Sequence, residues 1–123
     1  MSLDELNRRV TEAIVRAERL PAGSFDAWAA FHEVSELEES IARIAPPDHL
    51  EGEIARLGAV TAALSADEPL RALQLAAEFL TENLAPEIAQ KLHQFAEEAD
   101  EMLDRAAADE PMVKPVTFSL RAG

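Results

Sequence analysis

Cysteine is missing from this chain of 123 residues, and so are several other features that would identify a chemical function. Without thiols the protein has neither a disulfide framework nor a thiolate metal site. Its four glycines are scattered along the chain, so no glycine-rich phosphate-binding loop is present, and no Gly-x-Ser-x-Gly sequence provides a nucleophile turn. These absences predict a protein that is not an enzyme and that binds no cofactor.

Long apolar runs are missing as well. The longest stretch without charge in the helical part, 57–66, is about half of the roughly 20 residues that span a bilayer. Residues 1–5 lack the basic and apolar regions of a secretory signal. The sequence therefore predicts a cytoplasmic protein, and the excess of Arg over Lys together with abundant Ala favours a bacterial source.

Basic residues are scarce. The chain has 11 Lys and Arg residues against 24 Asp and Glu residues, for a formal net charge of −13. Residues 24–110 carry 20 acidic and five basic residues, whereas residues 3–20 are neutral. Nucleic acids and anionic lipids are bound through Lys and Arg. The sequence thus predicts a basic protein as the partner, and neither nucleic acid nor membrane.

Most of the cations stand four residues after an acid, which places both charges on one helical face. Seven of the nine cations before position 110 follow this rule, and each such pair stabilises a helix by roughly 0.2–0.5 kcal/mol. The expected pairs are Asp4–Arg8, Glu5–Arg9, Glu12–Arg16, Glu39–Arg43, Asp67–Arg71, Glu87–Lys91 and Glu101–Arg105.

Capping residues and prolines divide the first 110 residues into five helices. Ser2, Ser24, Asp48 and Asp67 are the expected N-caps of the first four, and Pro86 opens the fifth. The predicted helices cover about 3–20, 25–45, 49–64, a stretch after Asp67 through Leu84, and a stretch from Pro86 through at least Ala106. Because the connections are short, the sequence predicts an all-α, up-and-down antiparallel bundle.

Apolar residues recur at steps of three and four in each helix, and we expect the largest of them to form the core. The expected stripe of the second helix runs from Phe25 to Ile44, that of the third from Leu50 to Leu64, and that of the fourth from Leu70 to Leu84. The residues predicted to be largely buried are Trp28, Phe31, Leu57, Leu73, Leu80, Leu92 and Phe95.

The chain changes character after Asp109. Pro111 and Pro115 exclude a helix, and residues 116–120 alternate with the period of a strand. We therefore expect a helical domain over 1–110 and an extended tail over 111–123, which packs on a helical surface of its own chain or of a second copy. Phe118 and Leu120 are its expected contacts, and a homodimer through the fifth helix or the tail is a further expectation.

Residues 116–121 resemble the short C-terminal peptides that dock cargo into encapsulin shells, in which an apolar-Thr-apolar stretch precedes Gly-Ser-Leu-Arg. The resemblance covers six of the 123 residues, and the Gly is missing here. It implies a docking role for the tail.

The fifth helix carries the main candidate binding face. His93, Glu97, Glu101 and Asp104 follow at steps of four, four and three, so they lie on one face. A basic partner could bind Glu97, Glu101 and Asp104, with Glu36 on the second helix. His93, Glu97 and Glu101 are also the candidate ligands of a metal ion, and the alternative is a solvated helical face.

The histidines bear on two other functions, a di-iron site and phosphotransfer. A di-iron bundle needs Glu three residues before His, and those places hold Ala29, Pro46 and Gln90. Phosphotransfer on His32 or His93 is disfavoured because each is followed four residues later by a glutamate. The preferred hypothesis is an acidic interaction module of the immunity-protein, antitoxin or chaperone type. The alternatives are a metal- or phosphate-handling bundle that uses His93 or His32, and a structural self-associating protein.

Overall fold

The computed structural model describes residues 1–109, which form five α-helices. These are α1 (Leu3–Glu18), α2 (Phe25–Ala42), α3 (Leu50–Ser65), α4 (Pro69–Phe79) and α5 (Pro86–Asp109). The described part of the chain contains no strand, which confirms the all-α class. The predicted tail, with Phe118 and Leu120, lies outside the described residues.

Each helix packs on the next one along the chain, as short connections require. The central helix, α3, contacts α2, α4 and α5, whereas the main contacts of α1 are with α2. The fold is therefore a sequential bundle in which α3 joins an α1–α2 pair to an α4–α5 pair. None of the helices in residues 1–109 is long and apolar enough to cross a membrane.

Two of the four predicted N-caps are confirmed. The hydroxyl of Ser2 accepts a hydrogen bond from the backbone N–H of Glu5 (3.2 Å), and the hydroxyl of Ser24 accepts one from Ala27 (3.1 Å). The other two predictions are wrong.

At the start of α3 the N-cap is His49 rather than Asp48, and no side chain caps the helix. At the start of α4 the N-cap is Glu68, because Asp67 adopts a left-handed conformation (φ 60°) that lies outside the helix. Pro69 occupies the first turn of α4, as predicted.

The fourth helix is shorter than predicted and ends at Phe79 instead of Leu84. The hydroxyl of Thr81 donates to the carbonyl oxygen of Glu78 (2.7 Å), so the side chain takes over an acceptor that a further helical turn would use. Leu80 and Leu84 still pack against the core, but they do so from the connecting segment.

The core is built mainly from alanine. The buried residues of α2, α3 and α4 include Ala27, Ala30, Ala42, Ala55, Ala59, Ala62, Ala63, Ala72 and Ala76. The stripes predicted from large residues are wrong at their ends, since Phe25 is 82% exposed, Leu50 71% and Leu70 58%. Small side chains let helix backbones approach closely, so the alanine faces turn inward and rotate several large residues toward the surface.

Of the seven residues predicted to be largely buried, only Leu92 is fully buried. The remaining six are half-buried; Leu57, Leu73, Leu80 and Phe95 pack against the main core cluster. Trp28 instead forms an edge-on pair with the exposed Phe25, with the ring centroids 5.4 Å apart.

Gly52 allows α2 and α3 to be joined tightly. A Cβ atom at this position would overlap the carbonyl oxygen of Pro46, which lies against the first turn of α3. The connection between the two helices therefore requires a glycine here, although Gly is a poor helix former.

Candidate functional site

The ion pairs of the surface differ from those predicted by helical spacing. Glu5–Arg9 (3.6 Å) and Glu39–Arg43 (2.6 Å) form as predicted. Arg8 lies near Glu5 (3.6 Å) and Glu12 (3.0 Å) and pairs with these two rather than with Asp4.

Two of the other predicted pairs are replaced by bridges between helices. Arg16 of α1 pairs with Glu33 of α2 (2.6 Å), and Arg71 of α4 pairs with Glu39 of α2 (2.8 Å). Spacing predicts only partners on the same helix, whereas a long Arg side chain also reaches a carboxylate on its neighbour. These bridges leave fewer acids of α1 and α2 free for a partner.

Arg56 has a structural role that its sequence context did not indicate. The residue is 3% exposed, and its guanidinium group uses all five N–H donors. Three of them reach the carbonyl oxygens of Ala42, Ala45 and Gly52 at 3.0 Å, and two reach the carboxylate of Glu82 at 2.6 and 3.1 Å. Arg56 thereby ties the end of α2, the start of α3 and the α4–α5 connection together.

A charged network joins α2 to α4. The hydroxyl of Ser35 donates to the carbonyl oxygen of Ala59 (2.7 Å) and accepts from Nε of Arg71 (3.0 Å). Although burial alone would raise it, the pKa of Glu39 is lowered by the hydrogen bonds that Arg43 and Arg71 donate. The network therefore ties α2 to α3 and α4 through charged and polar groups of the protein itself.

His32 is engaged by carboxylates on both sides of its ring. Nδ1 lies 2.8 Å from Glu68, and Nε2 lies 3.2 Å from Glu36. The hydrogen bond with Glu68 raises the pKa of His32 above its ordinary value, although burial opposes this. Because both nitrogens face acceptors, the charged imidazolium is favoured and neither nitrogen is free to take a phosphoryl group.

The face predicted on the fifth helix is present and exposed. His93, Glu97, Glu101 and Asp104, called the acidic face of α5 below, are all exposed. The helix carries seven acidic and two basic residues, which gives it a net charge of −5 with His neutral.

No carboxylate of α5 forms an ion pair with any residue of 1–109, so the pairs predicted with Lys91 and Arg105 do not form. Glu36, in contrast, is paired with His32. The acidic face of α5 is thus less committed internally than the acids of α2.

The described residues do not bring a set of metal ligands together. No group of three or more His, Asp or Glu side chains within residues 1–109 is arranged to hold a metal ion. His93, Glu97 and Glu101 therefore share a helical face without converging on one point.

Glu38 of α2 is buried, unlike Glu33 and Glu36 of the same helix. The residue is 8% exposed, and its carboxyl group packs against the backbone of α3 at Gly58. A Cβ atom at position 58 would be 2.8 Å from Cδ of Glu38. Burial raises the pKa of Glu38 to about 7, because the carboxylate loses its hydration. Spacing along α2 gave no signal for this, but Gly58 within an alanine-rich helix marks where a side chain of another helix approaches.

Comparison with known proteins adds no relative to these observations: no protein-family model, no curated protein and no solved structure matches the chain.

Proposed function

We propose that the protein is a small interaction module that binds a basic partner protein along the acidic face of α5, in the manner of an immunity protein, an antitoxin or a secretion chaperone. The observation that supports this proposal is the uncommitted charge of α5. Acids of α1, α2 and α4 take part in ion pairs, whereas those of α5 take part in none within residues 1–109. The proposal places the protein in the bacterial cytoplasm.

The position of the charge on α5 adds to the argument. Asp109 is the last residue of α5, and no basic residue occupies the last turn of the helix. Negative charge at a helix C-terminus opposes the helix dipole and costs about 0.3–1 kcal/mol per group. Cations of a partner would relieve this cost, so binding and helix stability would favour each other.

With respect to residues 1–109, the same end of α5 leaves surface for contact. Ala99 is the last buried residue of the helix, and Met102 and Leu103 are half-buried. With 24 residues α5 is about 36 Å long, more than twice the length of α4. A partner could place apolar side chains against Met102 and Leu103 while its basic residues contact the acidic face of α5. Interfaces are usually divided in this way into an apolar centre and a polar edge.

Charge reversal tests the proposal. A partner captured from the native host and identified by mass spectrometry is purified, and its association rate is measured by stopped-flow fluorescence at several salt concentrations. The double variant Glu97→Lys/Glu101→Lys is expected to reduce the association rate at low salt by at least about tenfold and to flatten its salt dependence.

The matched control is Asp26→Lys/Asp48→Lys, which makes the same change in charge at two exposed positions away from α5. If both double variants lower the association rate equally, the net charge of the protein and not the position of α5 controls the rate, which would contradict the proposal. Sedimentation of the isolated protein tests self-association in parallel. A dimer that is lost in the α5 variant, with partner binding unchanged, would assign the face to self-association instead.

A further inference from the structure

A groove between α1, α2 and α3 contains one buried carboxyl group. One part has a volume of about 180 Å³ and is lined by Glu38, by the hydroxyl side chains of Thr61 and Ser65, and by apolar side chains such as Phe31 and Val34. A second part of about 320 Å³ adjoins it and shares Glu18, Phe31 and Ser65. We call the two parts together the Glu38 groove.

Glu38 has no partner for its charge. Within residues 1–109 its carboxyl group forms no ion pair and accepts no hydrogen bond from the protein. Glu33, Glu36 and Glu39 of the same helix each pair with a cation. A buried carboxylate without a partner is costly, so its position is not explained by the stability of the fold.

Besides the cost of burying Glu38, the groove carries the cost of a glycine within a helix. Gly58 lies in the middle of α3, where glycine costs about 1 kcal/mol relative to alanine. The missing Cβ atom is what lets the carboxyl group of Glu38 lie on α3. An unpaired buried carboxyl group and a glycine within a helix both oppose stability, and such features occurring together are typical of binding sites.

We propose that the Glu38 groove binds a linear aliphatic diamine, with one ammonium group on Glu38 and the other near Glu18, which lines both parts of the groove. An ammonium group supplies the missing charge and three N–H donors, and the methylene chain fits the apolar wall of Phe31 and Val34. A metal ion is disfavoured because no group of three or more His, Asp or Glu side chains in residues 1–109 is arranged to hold one. An anion is repelled by the two carboxylates.

A lysine side chain of a partner protein carries the same ammonium chemistry. The free diamine is favoured because a second carboxylate, Glu18, lines both parts of the same groove. Glu18 is exposed, so a second ammonium group would gain a solvent-screened attraction there, which a lysine side chain with its single charge cannot make. The ligand therefore carries a charge at each end of its chain.

Calorimetry with putrescine tests the proposal, with n-butylamine and n-butanol as matched probes that carry one charge and none. The expected order of affinity is putrescine, butylamine, butanol. Glu38→Gln is expected to weaken putrescine binding by at least about tenfold, and Glu18→Gln is expected to reduce it to the level of butylamine.

The pH dependence gives a second readout. The titratable groups that line the groove are Glu38 on α2 and Glu18 on α1, and α3 contributes only uncharged residues. Putrescine affinity is expected to rise between about pH 6 and pH 8, because Glu38 must lose its proton to bind an ammonium group. This rise is expected to disappear in Glu38→Gln.

Two controls separate the groove from general acidity. Glu36→Gln changes an exposed carboxylate of the same helix, and Glu97→Gln/Glu101→Gln changes the acidic face of α5; neither is expected to alter putrescine binding. Gly58→Ala is expected to weaken binding without a change of charge, because its Cβ atom displaces the carboxyl group of Glu38. Circular dichroism checks that each variant is folded.

The proposal would be overturned by the absence of putrescine binding at about millimolar concentration, by equal binding to wild type and Glu38→Gln, or by loss of binding in the α5 variant. Tighter binding of N-acetyl-lysine amide than of putrescine would assign the groove to a lysine side chain of a partner and overturn the diamine. The partner measurement on α5 can succeed or fail independently, because its variants lie outside the groove.

Discussion

Replacing Arg56 with methionine gives the sharpest test of how the helices are held together. Methionine keeps much of the apolar stem but removes five hydrogen bonds, three of them to backbone carbonyl oxygens and two to Glu82. The carbonyl groups of Ala42 and Ala45 lie at the end of α2 and would lose this donor. Glu82 is 31% exposed and can be hydrated, so most of the loss comes from the buried carbonyl groups, which cost about 1–3 kcal/mol each when they lose a donor; we expect a total loss of about 3–5 kcal/mol.

Arg43→Met is the matched control. Both guanidinium groups lie over the ring of Phe79, Arg56 at 5.6 Å and Arg43 at 5.8 Å. The side chain of Arg43, however, is 44% exposed, and its partners Glu39 and Glu78 lie at the surface or are half-buried. Exposed pairs contribute about 0–1 kcal/mol, so this variant is expected to lose no more than that.

Urea unfolding followed by circular dichroism measures both losses. The free energies are extrapolated linearly to water, and equal slopes show that the same surface is exposed on unfolding. Arg56→Lys keeps the charge but not the planar fork, so it is expected to recover little of the loss. Equal costs for the Arg56 and Arg43 variants, or a cost below about 1 kcal/mol for Arg56→Met, would refute the reasoning that burial sets the value of this side chain.

Three further predictions follow from other parts of the molecule. In urea unfolding, Gly52→Ala is expected to destabilise the protein more than Gly23→Ala does. A Cβ atom at position 52 would meet the carbonyl oxygen of Pro46, whereas at Gly23 only the positive φ of 79° opposes the change. Equal losses of stability would contradict the close approach at Gly52. The folded-state pKa of Glu38, about 7, is above its ordinary value of 4.5 because burial penalises the ionised carboxylate, so the protein avoids this penalty below about pH 4.5 and loses stability as pH rises to about 7. This loss is about 3 kcal/mol, and in Glu38→Gln that part of the pH dependence should be missing from unfolding measured across the window; an unchanged profile would show that Glu38 is hydrated. Deletion of 111–123 is expected to lower the melting temperature or to dissociate a dimer, and a truncated protein with unchanged melting and mass would contradict the sequence-based prediction for the tail.

The number and approximate bounds of the helices could be predicted from sequence because their signals are local. Ser2 and Ser24 cap the helices that they precede, and Pro69 and Pro86 lie at the first positions of α4 and α5. A cap or a proline acts within one turn, so its effect does not depend on the rest of the fold. The exposure of the acidic face of α5 could be predicted because its charged residues lie opposite the apolar positions of the same helix.

The faces that turn inward were predicted less well. On α3 the large residues Leu50 and Ile54 follow helical spacing, yet Ala55, Ala59 and Ala62 do so as well and are the ones buried. Spacing alone does not rank two competing stripes. The alanine stripe was visible in the sequence, but whether it or the stripe of large residues is buried depended on how closely the neighbouring helices approach.

The sequence by itself determined an acidic, all-α chain of five helices, because charge count, caps and prolines need no tertiary contact to act. Only the tertiary structure decided that Arg56 satisfies five donors in the core, that Glu38 lies unpartnered on Gly58, and that Arg16 and Arg71 pair between helices. Each of these depends on residues that are distant along the chain and adjacent in space. Their cost or benefit arises from desolvation, which is set by the neighbouring helices and not by spacing along one helix.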